Sequence, residues 1–489
     1  MTTTEPGTSE STSNPPGDWE VVIGLEVHAE LATRTKLFSS ARNEFGGEPN
    51  THVDPTSLGL PGSLPVLNEK AVELAIRVGL ALGCEIRPSV FARKNYFYPD
   101  MPKDFQISQY DQPINVGGSM ELPTGQVVGI ERAHLEEDTG KSTHVGTSGR
   151  ISGADFSLVD YNRAGVPLLE IVGRPDLRSA EEAATYVEEL RQILVAIGAS
   201  DGKLEEGSMR VDANVSLHHP GEALGTRCEI KNVNSLRSLR RAIDYEAARQ
   251  VEVLEAGGKV RQETRHWDEA VGRTLSGRSK EEAEDYRYFP EPDLVPIAPD
   301  AQWVERVRAS MPLLPAQRRA RLAVAGGVRA TEGAVVIAVQ RGLDDLAVAA
   351  IDVGADPSRV LTHVEHNLAV EGADRLGAAS LAELVGMEVS GELTATQTKT
   401  VLAELLASDG AASPRDIAKA KGFEAMDSSA LESMIDEVVA AHPAEWERYV
   451  ADPSQRGKLS GFFIGKVMKA TRGQADGKVV TGSLLRRAG

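Results

Sequence analysis

The segment Val21-Val22-Ile23-Gly24-Leu25-Glu26-Val27-His28-Ala29-Glu30-Leu31 decides the fold of this chain. Its odd-numbered positions are all apolar, and its even-numbered positions bring Glu26, His28 and Glu30 to one common face. Because successive side chains of a strand point to opposite faces of a sheet, this alternation predicts a strand with one buried and one polar face. Such half-polar strands are typical of an antiparallel sheet with a functional or hydrated face.

Two further segments repeat this alternation. Residues 209–217 place Asp212 and Asn214 on a polar face, and the strand that follows alternates Glu229 and Lys231 with apolar positions. Helices are interleaved with the strands, and each predicted helix follows a capping residue: Asn68 before 69–82, Ser179 before 180–197 and Ser235 before 236–254. This order predicts an α+β domain rather than regular βαβ repeats.

The chain is predicted to contain one large α+β domain followed by two helical domains. Residues 1–18 hold almost nothing to bury and are expected to be a disordered tail. The α+β domain is predicted over 19–297 and ends in a proline-punctuated linker. A helical domain over 298–410 and a smaller helical domain over 411–489 follow it.

Composition excludes several classes of protein. The 489 residues carry 53 Lys or Arg against 72 Asp or Glu, a net charge of −19, which disfavours a protein that coats nucleic acid. Two cysteines, Cys84 and Cys228, are too few for a disulfide framework or a cysteine-only zinc site. The sequence shows no apolar run of about 18 residues and no secretory signal, so a cytoplasmic location is expected.

Two acidic segments are candidate cation sites. Glu26 and His28 lie two positions apart on one strand face, roughly 7 Å from each other, which suits two ligands of one cation. The consecutive acids Glu136-Glu137-Asp138 are predicted to form a turn that holds magnesium. Each segment has an ordinary alternative, a solvated strand face or a solvated turn.

Two sequence features near these acids need separate interpretation. Gly140-Lys141-Ser142 resembles the end of a phosphate-binding loop, but Leu135 stands where that motif needs glycine, so no such loop is predicted. Glu170 is a lone carboxylate in the apolar run 166–172. A buried charge needs a partner, and either a metal ion or a buried Glu–Arg pair would supply one.

Two further groups suit a polar or nucleotide ligand. The face with Asp212 and Asn214, followed by Lys231, offers amides and charges, although a hydrated sheet face would look the same. Basic residues alternate with aromatic residues over 93–103, which suits stacking on a nucleotide or an RNA end, or packing of a loop onto the core. No catalytic serine or cysteine setting is recognisable in the sequence. If the reaction uses ammonia or an acyl-enzyme, another chain must therefore make it.

Ten segments, in register over about 270 residues, together resemble the B subunit family of the aspartyl/glutamyl-tRNA amidotransferases: GLEVHAEL, EFGGEPNT, LGLPGSLPVLN, RKNYFYPDMPK, HLEEDTGKSTH, VDYNRAGVPLLEIV, EEGSMRVDANVS, EIKNVNS, QETRHWDE and DYRYFPEPDL. The segment GFFIGKVMKATRGQAD resembles the tail of the same family. The resemblance implies a glutamine synthetase-like cradle with an antiparallel sheet, a helical domain and a YqeY-like tail that binds tRNA.

The resemblance also implies a reaction. ATP and Mg²⁺ are used to phosphorylate the side-chain carboxylate of Asp or Glu misacylated on tRNA(Asn) or tRNA(Gln), and ammonia then displaces phosphate. The enzyme is a ligase that forms carbon–nitrogen bonds with glutamine as amido donor. The enzyme is implied to be a heterotrimer. Its other two subunits are an amidase, which releases ammonia from glutamine, and a third, small chain. Neither DNA nor a membrane is an expected partner, and the choice between the two tRNA substrates stays open.

Site roles follow from the same resemblance. The implied metal ligands are Glu26, His28, Glu136, Glu137 and Glu170. Four of these, Glu26, His28, Glu137 and Glu170, are also expected to be catalytic, together with Lys231. Asp212, Asn214 and Lys141 are the candidate cofactor-binding residues.

The chain departs from its relatives in three places. Some relatives carry a four-cysteine zinc knuckle, where this chain has Ser39, Ala41, Asp54 and Ser57, so no structural zinc is expected. The loop 273–278 differs from the expected pattern and is assigned no role, and Asp476-Gly477 stands where Asn-Pro is usual. The alternatives to an amidotransferase subunit are a free-standing carboxylate–amine ligase and a non-catalytic tRNA-binding scaffold.

The net charge is unevenly distributed, and this generates a prediction. Residues 456–489 hold eight Lys or Arg and one acid, Asp476. Deleting this segment should weaken tRNA binding and reduce its salt dependence, because fewer cations then replace the counterions of the phosphates. Fluorescence anisotropy with labelled tRNA at several salt concentrations would measure both effects, and an unchanged affinity would contradict the prediction.

Overall fold

The computed structural model describes residues 18–146, 154–277, 286–408, 412–423, 428–453, 455–471, 475 and 477–489. Nearly all of the predicted N-terminal tail, and also Arg278 and Asp476, lie outside these residues. The chain divides into two compact units, Met1–Ala316 and Gln317–Gly489.

The first unit contains all the described strands and four helices. The strands are β1 (Glu20–Glu30), β2 (Glu85–Ile86), β3 (Ala92–Asn95), β4 (Phe105–Ser108), β5 (Asn115–Val116), β6 (Ser119–Glu121), β7 (Val127–Glu137), β8 (Lys141–Gly146), β9 (Ala154–Asp160), β10 (Pro167–Gly173), β11 (Met209–His218), β12 (Cys228–Val233), β13 (Thr264–Asp268), β14 (Arg273–Ser276) and β15 (Phe289–Pro290). The helices are α1 (Glu69–Ala81), α2 (Ala180–Ala196), α3 (Leu236–Glu255) and α4 (Ala301–Ala309). The predicted α+β class is therefore confirmed.

Thirteen of the described strands form one sheet, whose main order is β14-β13-β12-β11-β1-β10-β7-β4-β3-β15, while β8 and β9 form a separate ribbon. Along the central order β11, β1, β10 and β7, each strand is antiparallel to its neighbours. The sheet is nevertheless mixed, because β12 and β13 run parallel. The expected antiparallel sheet did not include this parallel pair. Parallel strands need a long crossover, and α3 provides it.

The apolar face of the sheet carries the core of the first unit. Ile23, Leu25 and Val27 of β1 are buried in one cluster with the apolar faces of α1, α2 and α3. The caps predicted for these helices are confirmed, since Asn68, Ser179 and Ser235 each accept a hydrogen bond from the first turn. The helices cover one face of the sheet, and the polar even-numbered side chains of β1 point to the other face.

From Pro315 onward the described chain is helical, as the sequence predicts. The helices are α5 (Pro315–Gly326), α6 (Gly333–Gln340), α7 (Asp344–Asp352), α8 (Pro357–His366), α9 (Ala378–Val389), α10 (Ala395–Ala407), α11 (Pro414–Ala420), α12 (Ser428–Ala441), α13 (Pro443–Ala451), α14 (Arg456–Ala470) and α15 (Gly477–Ala488), with a short 3₁₀ helix at Ala373–Arg375. None of the helices in the described part of the chain is long and apolar enough to cross a membrane.

Packing bears on the domain boundaries of the sequence analysis. The first unit extends to Ala316 and includes α4, whose Val307 is buried in the first core, although the predicted helical domain began at residue 298. The second unit contains two apolar clusters. One cluster includes Ile417 on α11, beyond the predicted boundary at 410, and the other is built from α12 to α15.

The helices α14 and α15 provide buried side chains as well as positive charge. Phe463, Val467, Val480 and Leu484 belong to the last apolar cluster, so deleting residues 456–489 would remove this core together with the charges. Lys458, Lys466 and Lys469 of α14 are exposed. Replacing these three lysines with alanine therefore tests the predicted loss of tRNA affinity with the core intact.

Asn68 generates a stability prediction. Its side chain accepts from the Lys70 and Ala71 amides, and its own amide donates to the carbonyls of Thr35 and Lys36. Asn68→Ala should destabilise α1 by about 1–2 kcal/mol, because it removes both the cap and the link to the preceding loop. Asn68→Asp keeps the cap acceptor and should have a smaller effect. Amide hydrogen exchange in α1 measures this locally, and equal protection in the wild type and Asn68→Ala would contradict it.

Candidate functional site

The polar face of the central strands gathers charged and amide side chains over several adjacent strands. Its members are Glu229 and Lys231 on β12, Arg210, Asp212 and Asn214 on β11, Glu26, His28 and Glu30 on β1, Glu170 on β10, and Arg132, His134 and Glu136 on β7. The period of two places each of these residues on the face opposite the helices.

The centre of this face is a row of three side chains on neighbouring strands. Register pairs His28 with Glu170 across β1 and β10, and pairs Glu170 with His134 across β10 and β7. His28 Nε2 lies 3.4 Å from Glu170 Oε2, and His134 Nε2 lies 3.8 Å from the same oxygen. Glu170 therefore stands between two imidazoles.

Glu136 completes the group. Its Oε1 lies 3.8 Å from His28 Nε2, and its Oε2 lies 3.9 Å from His134 Nε2. One ligand atom from each of His28, Glu136 and Glu170 can be chosen so that all three lie within 4.8 Å of one another. We call these three residues the cation cluster. One nitrogen and two carboxylates form a donor set that suits a divalent cation such as Mg²⁺ or Mn²⁺.

The ionisation of the cluster shows crowded negative charge. Burial raises the pKa of Glu136 to about 7, and repulsion from Glu170 adds to this effect. Burial alone would also raise the pKa of Glu170, but the hydrogen bond and positive charge of His28, together with the charge of Arg132, hold it far below the usual range. Burial lowers the pKa of His28, yet Glu170 reverses this and leaves the pKa above its ordinary value. A bound divalent cation would displace the protons that the raised pKa values of Glu136 and His28 favour.

His134 is a residue at the centre of this face that the sequence analysis missed. Its side chain is 1% exposed, and burial lowers its pKa to about 4, so the ring is neutral near pH 7. Among the described residues neither ring nitrogen has a hydrogen-bond partner. A neutral, unpaired imidazole beside two carboxylates can complete the coordination of a cation. The signal was present, because Arg132, His134 and Glu136 alternate along one strand.

The sequence left two partners open for Glu170, a metal ion and a buried arginine, and Arg132 provides the second. Its guanidinium lies 4.0 Å from Glu170 Oε1, close to the cation cluster. Glu170 therefore has both an arginine neighbour and the geometry of a metal ligand.

Glu26 lies on the same face but outside the cation cluster. Asn214 donates a hydrogen bond of 3.0 Å to Glu26 Oε1. Burial raises the pKa of Glu26, and repulsion from Glu170 and Glu229 adds to it. Lys231 Nζ lies 2.7 Å from Asp212 Oδ2 and 3.2 Å from a Glu229 oxygen. Burial alone would lower the pKa of Lys231, but these two carboxylates reverse this and leave it above its ordinary value. These residues form a second polar group beside the cluster.

The structure places Glu137 away from the cation cluster. The three consecutive acids do not form the predicted turn, since β7 continues through Glu137. Successive strand residues face opposite sides, so Glu136 joins the cluster and Glu137 points away from it. Glu137 forms a buried salt bridge with Lys103 and accepts a hydrogen bond of 3.1 Å from the Ile107 amide. Its charge has a structural partner.

Other predicted positions lie outside this face. Lys141 is exposed on β8, in the separate ribbon. Residues 273–276 of the loop without an assigned role form β14 at an edge of the sheet. The four positions where some relatives carry the zinc knuckle are linked by hydrogen bonds: the hydroxyls of Ser39 and Ser57 are 3.2 Å apart, the Ser57 amide donates to Asp54 at 2.7 Å, and the Ala41 amide donates to Ser39 at 3.4 Å.

Comparison with known proteins identifies the family. Residues 21–305 match the GatB/GatE catalytic domain, and residues 361–487 match the GatB domain. The chain belongs to the GatB family. The B subunit of the aspartyl/glutamyl-tRNA(Asn/Gln) amidotransferase from Salinispora arenicola is 49% identical over 100% of this chain and 99% of its own length. Proteins of the same name from an Anaeromyxobacter species and from Thermosynechococcus vestitus are 48% and 47% identical, over 97% and 96% of this chain and 100% and 96% of their own lengths.

The cluster geometry predicts which glutamates bind a cation. Glu136→Gln and Glu170→Gln should each weaken Mn²⁺ binding at least roughly tenfold, because each removes a charged ligand. Glu137→Gln is the matched control, since it is the neighbouring residue on the opposite face, and its Mn²⁺ affinity should stay close to that of the wild type. Isothermal titration calorimetry measures the affinities, and a larger loss in Glu137→Gln than in Glu136→Gln would contradict the assignment.

Proposed function

We propose that this GatB family member is the B subunit of a glutamine-dependent tRNA amidotransferase. In this proposal it uses ATP to activate the side-chain carboxylate of Asp or Glu misacylated on tRNA(Asn) or tRNA(Gln), and it then amidates that carboxylate. The relatives reported above bear the name of this subunit, and they align with essentially the whole length of the chain. The observation that carries the chemistry is the cation cluster on the sheet face opposite the helices.

The reaction consists of two transfers. The carboxylate oxygen of the substrate attacks the γ-phosphorus of ATP, the bond to the bridging oxygen breaks, and an acyl phosphate and ADP result. Ammonia then adds to the acyl carbon, inorganic phosphate leaves, and an amide remains. A carboxylate is a poor acceptor of ammonia, whereas a mixed anhydride is a good one. Phosphoryl transfer depends mainly on positioning and on neutralising the charge of the transferred group.

The cluster residues suit this requirement. His28, Glu136 and Glu170 would hold Mg²⁺, which neutralises phosphate charge and orients the transferred group when bound. His134 adds a neutral nitrogen at the same place. Arg132 lies beside Glu170 and supplies fixed positive charge close to the same group.

The second polar group suits the nucleotide. Lys231 can turn from its two carboxylate partners toward a phosphate, and Asp212 and Asn214 offer an acceptor and an amide to a ribose or a base. Glu26 is held by Asn214 between this group and the cation cluster. Glu26 is accordingly proposed as a positioning residue that connects both groups.

The remaining parts of the proposal concern architecture and partners. The α+β unit is proposed to have a glutamine synthetase-like cradle fold, and the second unit a helical domain and a YqeY-like tail that binds tRNA. An amidase, which supplies ammonia, and a third, small chain are the proposed partners in a heterotrimer. A cytoplasmic location follows from a tRNA substrate. The exposed lysines of α14 support the assignment of the tail.

One experiment tests the proposed function. The reconstituted complex is incubated with ATP, Mg²⁺ and either Asp-tRNA(Asn), Glu-tRNA(Gln) or the uncharged tRNAs, and ATP cleavage is measured. Cleavage should require a misacylated tRNA, and it should fall by roughly 100-fold in Glu170→Gln, because even partners outside the ligand shell often contribute 10–100-fold. Glutamine hydrolysis by the partner amidase should survive in that variant. ATP cleavage that is independent of the aminoacyl group would refute the proposal.

A further inference from the structure

Three tyrosines lie together next to the cation cluster. The rings of Tyr110 and Tyr288 are stacked, with their centroids 5.7 Å apart and their planes at 18°. The ring of Tyr286 meets Tyr288 edge to face, with a centroid distance of 6.0 Å. Tyr110 is 48% exposed, although it is a large aromatic residue. We call Tyr110, Tyr286 and Tyr288 the tyrosine platform.

The platform is in direct contact with residues of the site. The ring of Tyr110 packs edge to face on His134, with centroids 6.2 Å apart. The Arg132 guanidinium lies 4.8 Å above the centre of the Tyr110 ring, and the same guanidinium is 4.0 Å from Glu170. The tyrosine platform is therefore adjacent to the cation cluster.

The platform also carries positive charge. Besides Arg132 at Tyr110, the ammonium group of Lys94 lies 4.7 Å from the centre of the Tyr286 ring. The Nε atom of Arg132 is buried and has no hydrogen-bond partner among the described residues. Aromatic faces combined with cations are the chemistry with which proteins hold an unpaired nucleobase and its phosphate. An unpaired nucleotide is thus the ligand class that fits this surface.

The position of the tyrosine platform in the sheet indicates whether this nucleotide belongs to the ATP donor or to the acceptor substrate. Lys231, Asp212 and Asn214 lie on β12 and β11, on one side of the cluster, whereas Tyr110 follows β4 on the other side. From β11 to β4 there are four strand spacings in the sheet order, about 19 Å in total. In-line phosphoryl transfer needs the donor nucleotide and the acceptor on opposite sides of the transferred group. If ATP occupies the Lys231 side, the platform faces the acceptor.

We propose that the tyrosine platform binds the 3′-terminal adenosine of the aminoacylated tRNA by stacking. This inference rests on the proposed function, because the amino acid to be activated is esterified to the ribose of that adenosine. With the base held on Tyr110, the attached side-chain carboxylate lies within one nucleotide's length of the cation cluster. Arg132 and Lys94 neutralise the terminal phosphates. Both ATP and tRNA contain an adenosine, so the test must separate these two sources.

The first arm compares Michaelis constants in the reconstituted complex. Tyr110→Leu should raise the KM for misacylated tRNA roughly tenfold, because a stacking contact is lost, while the KM for ATP stays within about twofold. Tyr110→Phe keeps the ring and should restore the KM for tRNA. Phe45→Leu is the control, since Phe45 is an aromatic residue that is 74% exposed in the loop between β1 and α1. A rise in the KM for ATP without a rise for tRNA would overturn the inference.

The second arm measures binding without catalysis. Uncharged tRNA that lacks its terminal adenosine should bind the wild-type complex roughly tenfold more weakly than intact tRNA. Tyr110→Leu should bind both tRNAs equally, because the removed base and the removed ring are partners in one contact. If removal of the adenosine and Tyr110→Leu each weaken tRNA binding and their effects on the binding free energy add, the inference is refuted. Tyr286→Leu provides a second variant with the same expected pattern if Tyr110→Leu lowers the melting temperature.

The two arms also separate this inference from the proposed function. If the wild-type complex cleaves no ATP with misacylated tRNA, the proposed function fails, and the binding arm still reports on the platform. If the wild type is active and the Tyr110→Leu variant matches it in both arms, the platform inference alone fails.

Discussion

The alternation of side chains along β1, β10 and β7 is the constraint on which the rest of the structure depends. One face of β1 buries Ile23, Leu25 and Val27 against the helices, and each such burial contributes about 1.5–3 kcal/mol. A slip of one residue in the pairing would turn these side chains to the polar face and move His28 into the core. The same packing that stabilises the first unit therefore positions the cation cluster.

The polar face has an electrostatic cost that the proposed function explains. Glu136 and Glu26 have raised pKa values because burial and neighbouring carboxylates disfavour their charged forms. His28 and Arg132 neutralise only part of this charge. Negative charge concentrated in this way reduces stability unless a cation binds, and such violations are expected where a protein has a functional site. The cluster is thus best understood as preformed for a divalent ion.

Much of this arrangement could be predicted from the sequence. Visible alternation in β1 and β11 places Glu26, His28, Asp212 and Asn214 on one face without any knowledge of the pairing. The choice between Glu136 and Glu137 could not be made in this way, because consecutive acids look alike until the register of β7 with β10 is known. Contacts between distant segments were also beyond sequence reasoning. The apolar run around Glu170 hides its polar face, and His134 becomes informative only when it stands across from Glu170. The resemblance correctly indicated the family, while the register determined which side chains meet.

The most direct test of the central claim is anomalous diffraction at the manganese edge from crystals of the protein grown with Mn²⁺. We predict an anomalous peak among His28 Nε2, Glu136 and Glu170, within coordination distance of all three and near His134. A peak beside Glu137 and Lys103, or no peak on the polar face at saturating Mn²⁺, would contradict it.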